Sequence, residues 1–150
     1  MELFYFLNPQ ELDSFVGREY LQSWSWGEIL RAEGEEIRRL GVKERGEIVV
    51  AATLVKKKLG GGYFYWYAPR GPIFAKDILV KKVGQNKKND VETLIDFLLL
   101  ALKNLDHHAL FARIEADIKI GDWEKLSLNM AIKKTFNLQP AQTLLLNLTL

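Results

Sequence analysis

Two glycine-marked reversals constrain this chain more than any other feature. Glu44-Arg45-Gly46 separates Ile37 to Lys43 from Glu47 to Leu59, and Gly60-Gly61-Gly62 separates that second run from one beginning at Tyr63. Residues that tolerate a tight reversal, set between strand-forming runs, predict an antiparallel hairpin, and the three glycines turn the chain back again. In the third run Tyr63, Tyr65 and Tyr67 alternate with Phe64, Trp66 and Ala68, as in a strand that is buried or ligand-facing on both sides. Neither Pro69 nor Pro72 can donate to a ladder, so this strand ends there and leaves Arg70 beside Gly71 between two prolines. Structural turns rarely need such an arginine.

Around these strands the apolar spacing changes to a helical period. Leu3 to Leu7 reads as a short strand, and Pro9 suits the first turn of a helix with Leu12, Phe15 and Val16 on one face. In Ser25-Trp26-Gly27-Glu28 the serine can cap a second helix while the glutamate reaches back, with Trp26, Ile29 and Leu30 on one side until Gly34. The clearest stripe is Val91, Leu94, Ile95, Leu98, Leu99 and Leu102, with Asn89 and Asp90 as caps. Ala109 to Ile118 returns to period two, with Leu110, Ala112, Ile114, Ala116 and Ile118 on one face and Phe111, Arg113, Glu115 and Asp117 on the other. Asp122 caps a further predicted helix through Phe136, and Leu144 to Leu150 alternates as a last strand. A strand that runs to the final residue suggests a longer architecture or a partner that covers the end.

The predicted order β-α-α-β-β-β-α-β-α-β gives an α/β fold with a mixed, mostly antiparallel sheet flanked by helices. That layout resembles the acyltransferase fold called GNAT. The 150 residues, 48% of them hydrophobic, suffice for one domain with a proper core. With 21 basic and 19 acidic residues, net charge gives no chain-wide reason to expect nucleic acid. There is no cysteine, which removes disulfides, thiolate nucleophiles and Cys-ligated metals and suits the cytosol. The N-terminus has no signal-peptide pattern, and the apolar run Phe97 to Leu102 is far short of the ~20 residues of a membrane span.

No Walker or Rossmann glycine motif opens a helix, and the adjacent His107 and His108 cannot chelate as an i, i+4 pair would, so no metal or cofactor is expected. Gly60-Gly61-Gly62 joins strands and is a turn rather than a phosphate cradle. Lys56-Lys57-Lys58, Lys81-Lys82 and Lys87-Lys88 read first as solvated surface, with phosphate contact as the sharper alternative. The aromatic run is core or a base-stacking platform, and of Trp24 and Trp26 at least one can line a groove. The strongest polar constellation joins Arg70 to Arg113, Glu115 and Asp117. If both strands share a sheet, their C-terminal ends form either a ligand cleft or an ion pair that closes the sheet edge.

Leu21-Gln22-Ser23-Trp24-Ser25-Trp26-Gly27-Glu28, Tyr67-Ala68-Pro69-Arg70-Gly71-Pro72-Ile73, Arg113-Ile114-Glu115 and Gln139-Pro140-x-x-Thr143-x-x-Leu146-x-Leu148 together resemble the FemABX family of peptidoglycan bridge-forming aminoacyltransferases. The resemblance runs over residues 1–150 and implies the N-terminal GNAT-like domain of such a protein, without its second domain. It implies transfer of an amino acid from aminoacyl-tRNA to the stem peptide of a peptidoglycan precursor, either nucleotide-linked muramyl pentapeptide or a lipid-linked form. The implied partners are that precursor, aminoacyl-tRNA engaged through the second domain, and a second GNAT-like domain or partner chain. The implied place is the cytoplasm, with peripheral contact at the inner membrane face for a lipid-linked substrate.

Glu115 falls where the family has an acidic residue and is the expected catalytic group, orienting the attacking amine. Arg70, Arg113, Trp26 and Tyr67 are the expected substrate-binding residues. Many relatives have proline where this chain has Ala116, so the strand is expected to run on. Two other classes remain open, a non-catalytic GNAT-like binding module and an acetyl-CoA-dependent N-acetyltransferase. The latter requires a pyrophosphate loop at a helix N-terminus, where this chain has Pro-Arg-Gly-Pro.

Overall fold

The computed structural model describes residues 1–76, 93–98, 100, 102–103, 106 and 108–116. In chain order these form β1 (Glu2–Tyr5), α1 (Pro9–Val16), a 3-10 turn (Tyr20–Gln22), α2 (Trp24–Ala32), β2 (Ile37–Glu44), β3 (Glu47–Gly60), β4 (Tyr63–Ala68), β5 (Ile73–Phe74) and β6 (Ala109–Ile114). A third helix, α3, lies before β6, with residues 93–98, 100, 102 and 103 described. The sheet order is β1-β2-β3-β4-β6, with β5 paired to β3 off this path. Every pairing is antiparallel except β4 with β6. This is the expected mixed α/β sheet with flanking helices. The predicted helix from Asp122 and the last strand lie outside the described residues.

Both glycine-marked reversals fold as hairpins. Glu44 pairs with Glu47, and Arg45 and Gly46 between them both have positive φ, 52° and 86°. That is the two-residue turn whose twist matches flanking strands, and glycine relieves its second position. Besides β2 on one edge, the long β3 then serves two partners on the other, β5 at Val50 and Ala51, and β4 from Val55 to Gly60.

Alternation along these strands fixes two faces. Val50, Ala52 and Leu54 of β3 and Phe64, Trp66 and Ala68 of β4 enter clusters that also hold Leu94, Ile95, Leu98 and Leu102 of α3. Leu94, Ile95, Leu98 and Leu102 of the predicted stripe therefore form the buried side of α3, where each Leu or Ile contributes about 2 kcal/mol on burial, while Val91, Leu99 and the expected caps Asn89 and Asp90 lie outside the described residues. On the opposite face α1 packs Leu12 and Val16 against Phe6 and Ala51. Asn8 caps α1, its Oδ1 accepting from Gln10 N–H at 2.8 Å, and Pro9 occupies the first turn as expected.

Five local expectations are corrected. The cap of α2 is Ser23, not Ser25, because the 3-10 turn delivers Ser23 in an extended conformation and its Oγ accepts from Trp26 N–H at 3.2 Å. Glu28 turns to Arg39 at 2.8 Å instead of reaching back to a cap, and Ile29 is half exposed while Gly27 is the buried residue of α2. Strand β6 stops at Ile114, short of Ile118, because the next amide, Glu115 N–H, donates to Gly71 O at 2.9 Å, beyond the end of β4. A register shift between Phe64 and Trp66 opposes both Leu110 and Phe111 to Tyr65, which leaves Leu110 exposed rather than in the core.

Candidate functional site

The one parallel junction among the described strands makes β4 and β6 end on the same side. Tyr67 is paired with Arg113 and Ala68 with Ile114, so the loop after each strand begins at the same level. In α/β sheets the crevice outside strand carboxyl ends is the usual place for a ligand.

Three of the predicted site residues meet there. The Tyr67 hydroxyl donates to Glu115 Oε2 at 2.8 Å, and Arg113 Nε lies 3.8 Å from Glu115 Oε1. The Arg113 and Glu115 side chains are 13% and 8% exposed. At that burial the phenol hydrogen bond fixes one carboxylate oxygen, and the Arg113 guanidinium stands within ion-pair distance of the other. Arg70 stands at the same edge, in the loop that follows β4, and has φ of 51°. A left-handed conformation at a non-glycine residue persists only where its surroundings hold it. Asp117, the fourth member of the expected constellation, lies outside the described residues.

Trp26 belongs to a different neighbourhood. It sits half buried on α2, whose strand partner is β2, two positions from β4 in the sheet. There Arg39, 3% exposed, donates from Nη2 to Trp24 O at 2.9 Å and to Glu28 Oε1 at 2.8 Å, with its guanidinium 3.9 Å over the Trp24 ring. Burial lowers the Arg39 pKa, opposed by the hydrogen bond to Glu28. Gly27 is required beside it, because a Cβ there would overlap the guanidinium. This cluster fastens α2 onto β2.

Sequence reading assigned no role to Gln22, which lies at the end of the 3-10 turn and is fully buried. Its side-chain Oε1 accepts from Thr53 N–H at 2.7 Å, and its Nε2 donates to Thr53 O at 3.3 Å and to Pro69 O at 2.6 Å. The Thr53 hydroxyl donates to Gln22 O at 2.7 Å. A three-residue turn has no periodicity, so in the sequence Gln22 stood out only as part of the Leu21–Glu28 segment that carries the family resemblance.

A hollow of about 580 Å³ lies at the other end of β4, lined in part by Lys56, Lys58, Gly61, Asp106 and His108. Two of its charges are engaged locally, Lys56 with Glu36 and Asp106 with Arg38. Lys57 likewise pairs with Glu35, in keeping with lysines on a solvated surface. Among the described residues no group of three or more acidic, histidine or cysteine side chains could hold a metal ion. No helix among them is long and apolar enough to cross a membrane.

The sequence pattern of the FemAB family matches residues 7–115, from just before α1 through Glu115. The chain belongs to the FemAB family. Among solved structures it is similar to one described as the crystal structure of FemX, with 26% identity and a TM-score of 0.59. That likeness covers 81% of this chain and 28% of the FemX chain, so the chain spans under a third of that relative's length. No curated protein sequence matches it. The FemAB match ends on the carboxylate that Tyr67 and Arg113 hold, and it takes in β2 to β6 and the loop carrying Arg70 but not β1.

Proposed function

We propose that this chain is the precursor-binding N-terminal, GNAT-like part of an aminoacyltransferase that builds peptidoglycan bridges. The observation that carries the reading is the Tyr67-Glu115-Arg113 group at the shared end of β4 and β6, beside Arg70, in a member of the FemAB family. The acceptor is the stem-peptide amine of a muramyl pentapeptide, nucleotide-linked or lipid-linked. The donor is aminoacyl-tRNA, engaged through a second domain or partner chain. The work is done in the cytoplasm, at the inner membrane face where the acceptor is lipid-linked.

In the transfer, the amine nitrogen attacks the carbonyl carbon of the aminoacyl ester. A C–N bond forms, the C–O bond to the tRNA ribose breaks, and the ribose oxygen leaves as a hydroxyl. An alkyl ammonium with a pKa of ~10 must first lose a proton. Glu115, fixed by Tyr67 and Arg113, orients this amine and relays the proton. Arg70 offers its guanidinium to a phosphate or carboxylate of the precursor from a loop whose φ angles at Pro69 and Pro72 are set by ring closure. Trp26, near β2, has the weakest case as a precursor contact. The passage of β4 through Pro69–Pro72 into β5, with no helix N-terminus directly after the strand, weighs against an acetyl-CoA enzyme.

Titration calorimetry with a nucleotide-linked muramyl pentapeptide tests the reading. Saturable binding, weakened about tenfold by Arg70→Ala, is expected for one lost charge-assisted contact. A folded sample that binds nothing would overturn the claim that this chain itself holds the precursor.

A further inference from the structure

We propose that Gln22 is a positioning residue for the edge formed by Arg70 and Glu115, setting that edge from the gap beside β3 without itself touching a ligand. The proposal rests on reading this edge as the precursor contact. It starts from a gap in β3. Strand β5 pairs with Ala51 and β4 with Val55, which leaves Thr53 facing neither. A buried backbone N–H and C=O in such a gap need partners. The Gln22 amide supplies both, accepting from Thr53 N–H and donating to Thr53 O, as a single residue of an added strand would. Leucine or methionine would fill the space and satisfy neither group.

The second Nε2 hydrogen then reaches the loop. It is donated to Pro69 O at 2.6 Å, and the Gln22 amide also lies against Gly71, where a Cβ would stand 2.5 Å from Gln22 Cδ. Gly71 in turn accepts from Glu115 N–H at 2.9 Å. Arg70 is thus bracketed. The residue before it is held by Gln22, and the residue after it packs on Gln22 and holds the backbone of Glu115. This bracket keeps Arg70 in its left-handed conformation, because the residues on either side cannot rotate without breaking a buried hydrogen bond.

Two variants probe the bracket from opposite sides. Gln22→Met removes the amide at similar length, and Gly71→Ala keeps the amide but pushes on it. Amide hydrogen exchange and calorimetry with the nucleotide-linked pentapeptide are the readouts. In both variants the Glu115 amide should exchange at least tenfold faster, while the Phe6 amide, bonded to Arg39 O in the β1–β2 region, keeps its rate. Gln22→Met should weaken precursor binding about tenfold and add little once Arg70→Ala is present, since coupled residues are non-additive.

Exchange that rises equally at Phe6 and Glu115, or failure of both variants to fold, would make Gln22 a general stability residue and overturn the proposal. So would unchanged exchange at Glu115, or fully additive losses of binding. If Arg70→Ala itself leaves binding intact, the precursor reading of the edge fails, whereas the exchange result still decides whether Gln22 sets the loop.

Discussion

Two groups on the same face of one sheet each join an arginine, a glutamate and an aromatic ring, and they are put to different uses. At β2, Arg39 is closed under α2, with Gly27 against its guanidinium and Trp24 stacked on it. At the end of β4 and β6, Arg113 and Glu115 sit where two parallel strands stop and the Arg70 loop begins, with Tyr67 as the phenol donor. Residue type and pairing are alike in both. What differs is the element above each group, a helix packed over Arg39 and loop edges beside Glu115. Such a charge pair is a candidate for chemistry only where a ligand can reach the strand ends.

The largest test of this contrast is Glu115→Ala in an enzyme that also has its tRNA-engaging part. Turnover should fall about 100-fold, the low end for loss of an acid-base group, with folding intact. Unchanged turnover in folded protein would put both groups in the same structural class. Glu28→Ala should do the reverse. It strands a buried guanidinium, so it should cost about 2 kcal/mol in denaturant unfolding, less than a wholly buried pair because Glu28 is 46% exposed. Turnover per folded molecule should not change. Arg39→Met, which leaves behind a hydrated carboxylate and the Trp24 carbonyl but no buried charge, should cost less than Glu28→Ala. The opposite order would mean that stacking on Trp24 outweighs charge burial.

Smaller effects sharpen the comparison. Tyr67→Phe deletes the 2.8 Å hydrogen bond to Glu115 and should cost about 1 kcal/mol of stability, with a several-fold drop in turnover if the carboxylate loses its orientation. A stability loss with no change in turnover would separate Tyr67 from the site. Lys57→Ala, which removes a surface partner of Glu35, should stay within about 0.5 kcal/mol by thermal or denaturant unfolding. A larger loss would show that the lysines flanking the hollow brace the sheet.

The sequence disclosed those parts of the fold in which neighbours along the chain determine the outcome. Arg45-Gly46 and Gly60-Gly61-Gly62 specify hairpins through local φ, and Leu94, Ile95, Leu98 and Leu102 mark a helix face through spacing alone. Alternation put Arg113 and Glu115 on the polar face of β6 and the proline turn singled out Arg70, whereas Tyr67 entered only through the family resemblance. Partners distant in sequence were not readable. Gln22 meets Pro69 across 47 residues, and Ser23 rather than Ser25 caps α2 because a preceding 3-10 turn carries no period. Arg39 did leave a trace, as a charge on the face of β2 that also holds Ile37, with Gly27 inside the opposing helix. The end of β6 at Ile114 left none, because the acceptor for the next amide belongs to another loop.

The double service of β3 has a consequence for how this region can vary among relatives. Tyr67 faces Val55 and Ile73 faces Ala51 on one continuous strand, so five residues, 68 to 72, must bridge four steps of β3, about 13 Å at the usual strand rise. The footings of that arch are fixed to a single beam. Substitutions at its crown can change what it presents, but an inserted or deleted residue would move β5 by a full step and turn Phe74 out of the core. Length is therefore the conserved quantity to expect here.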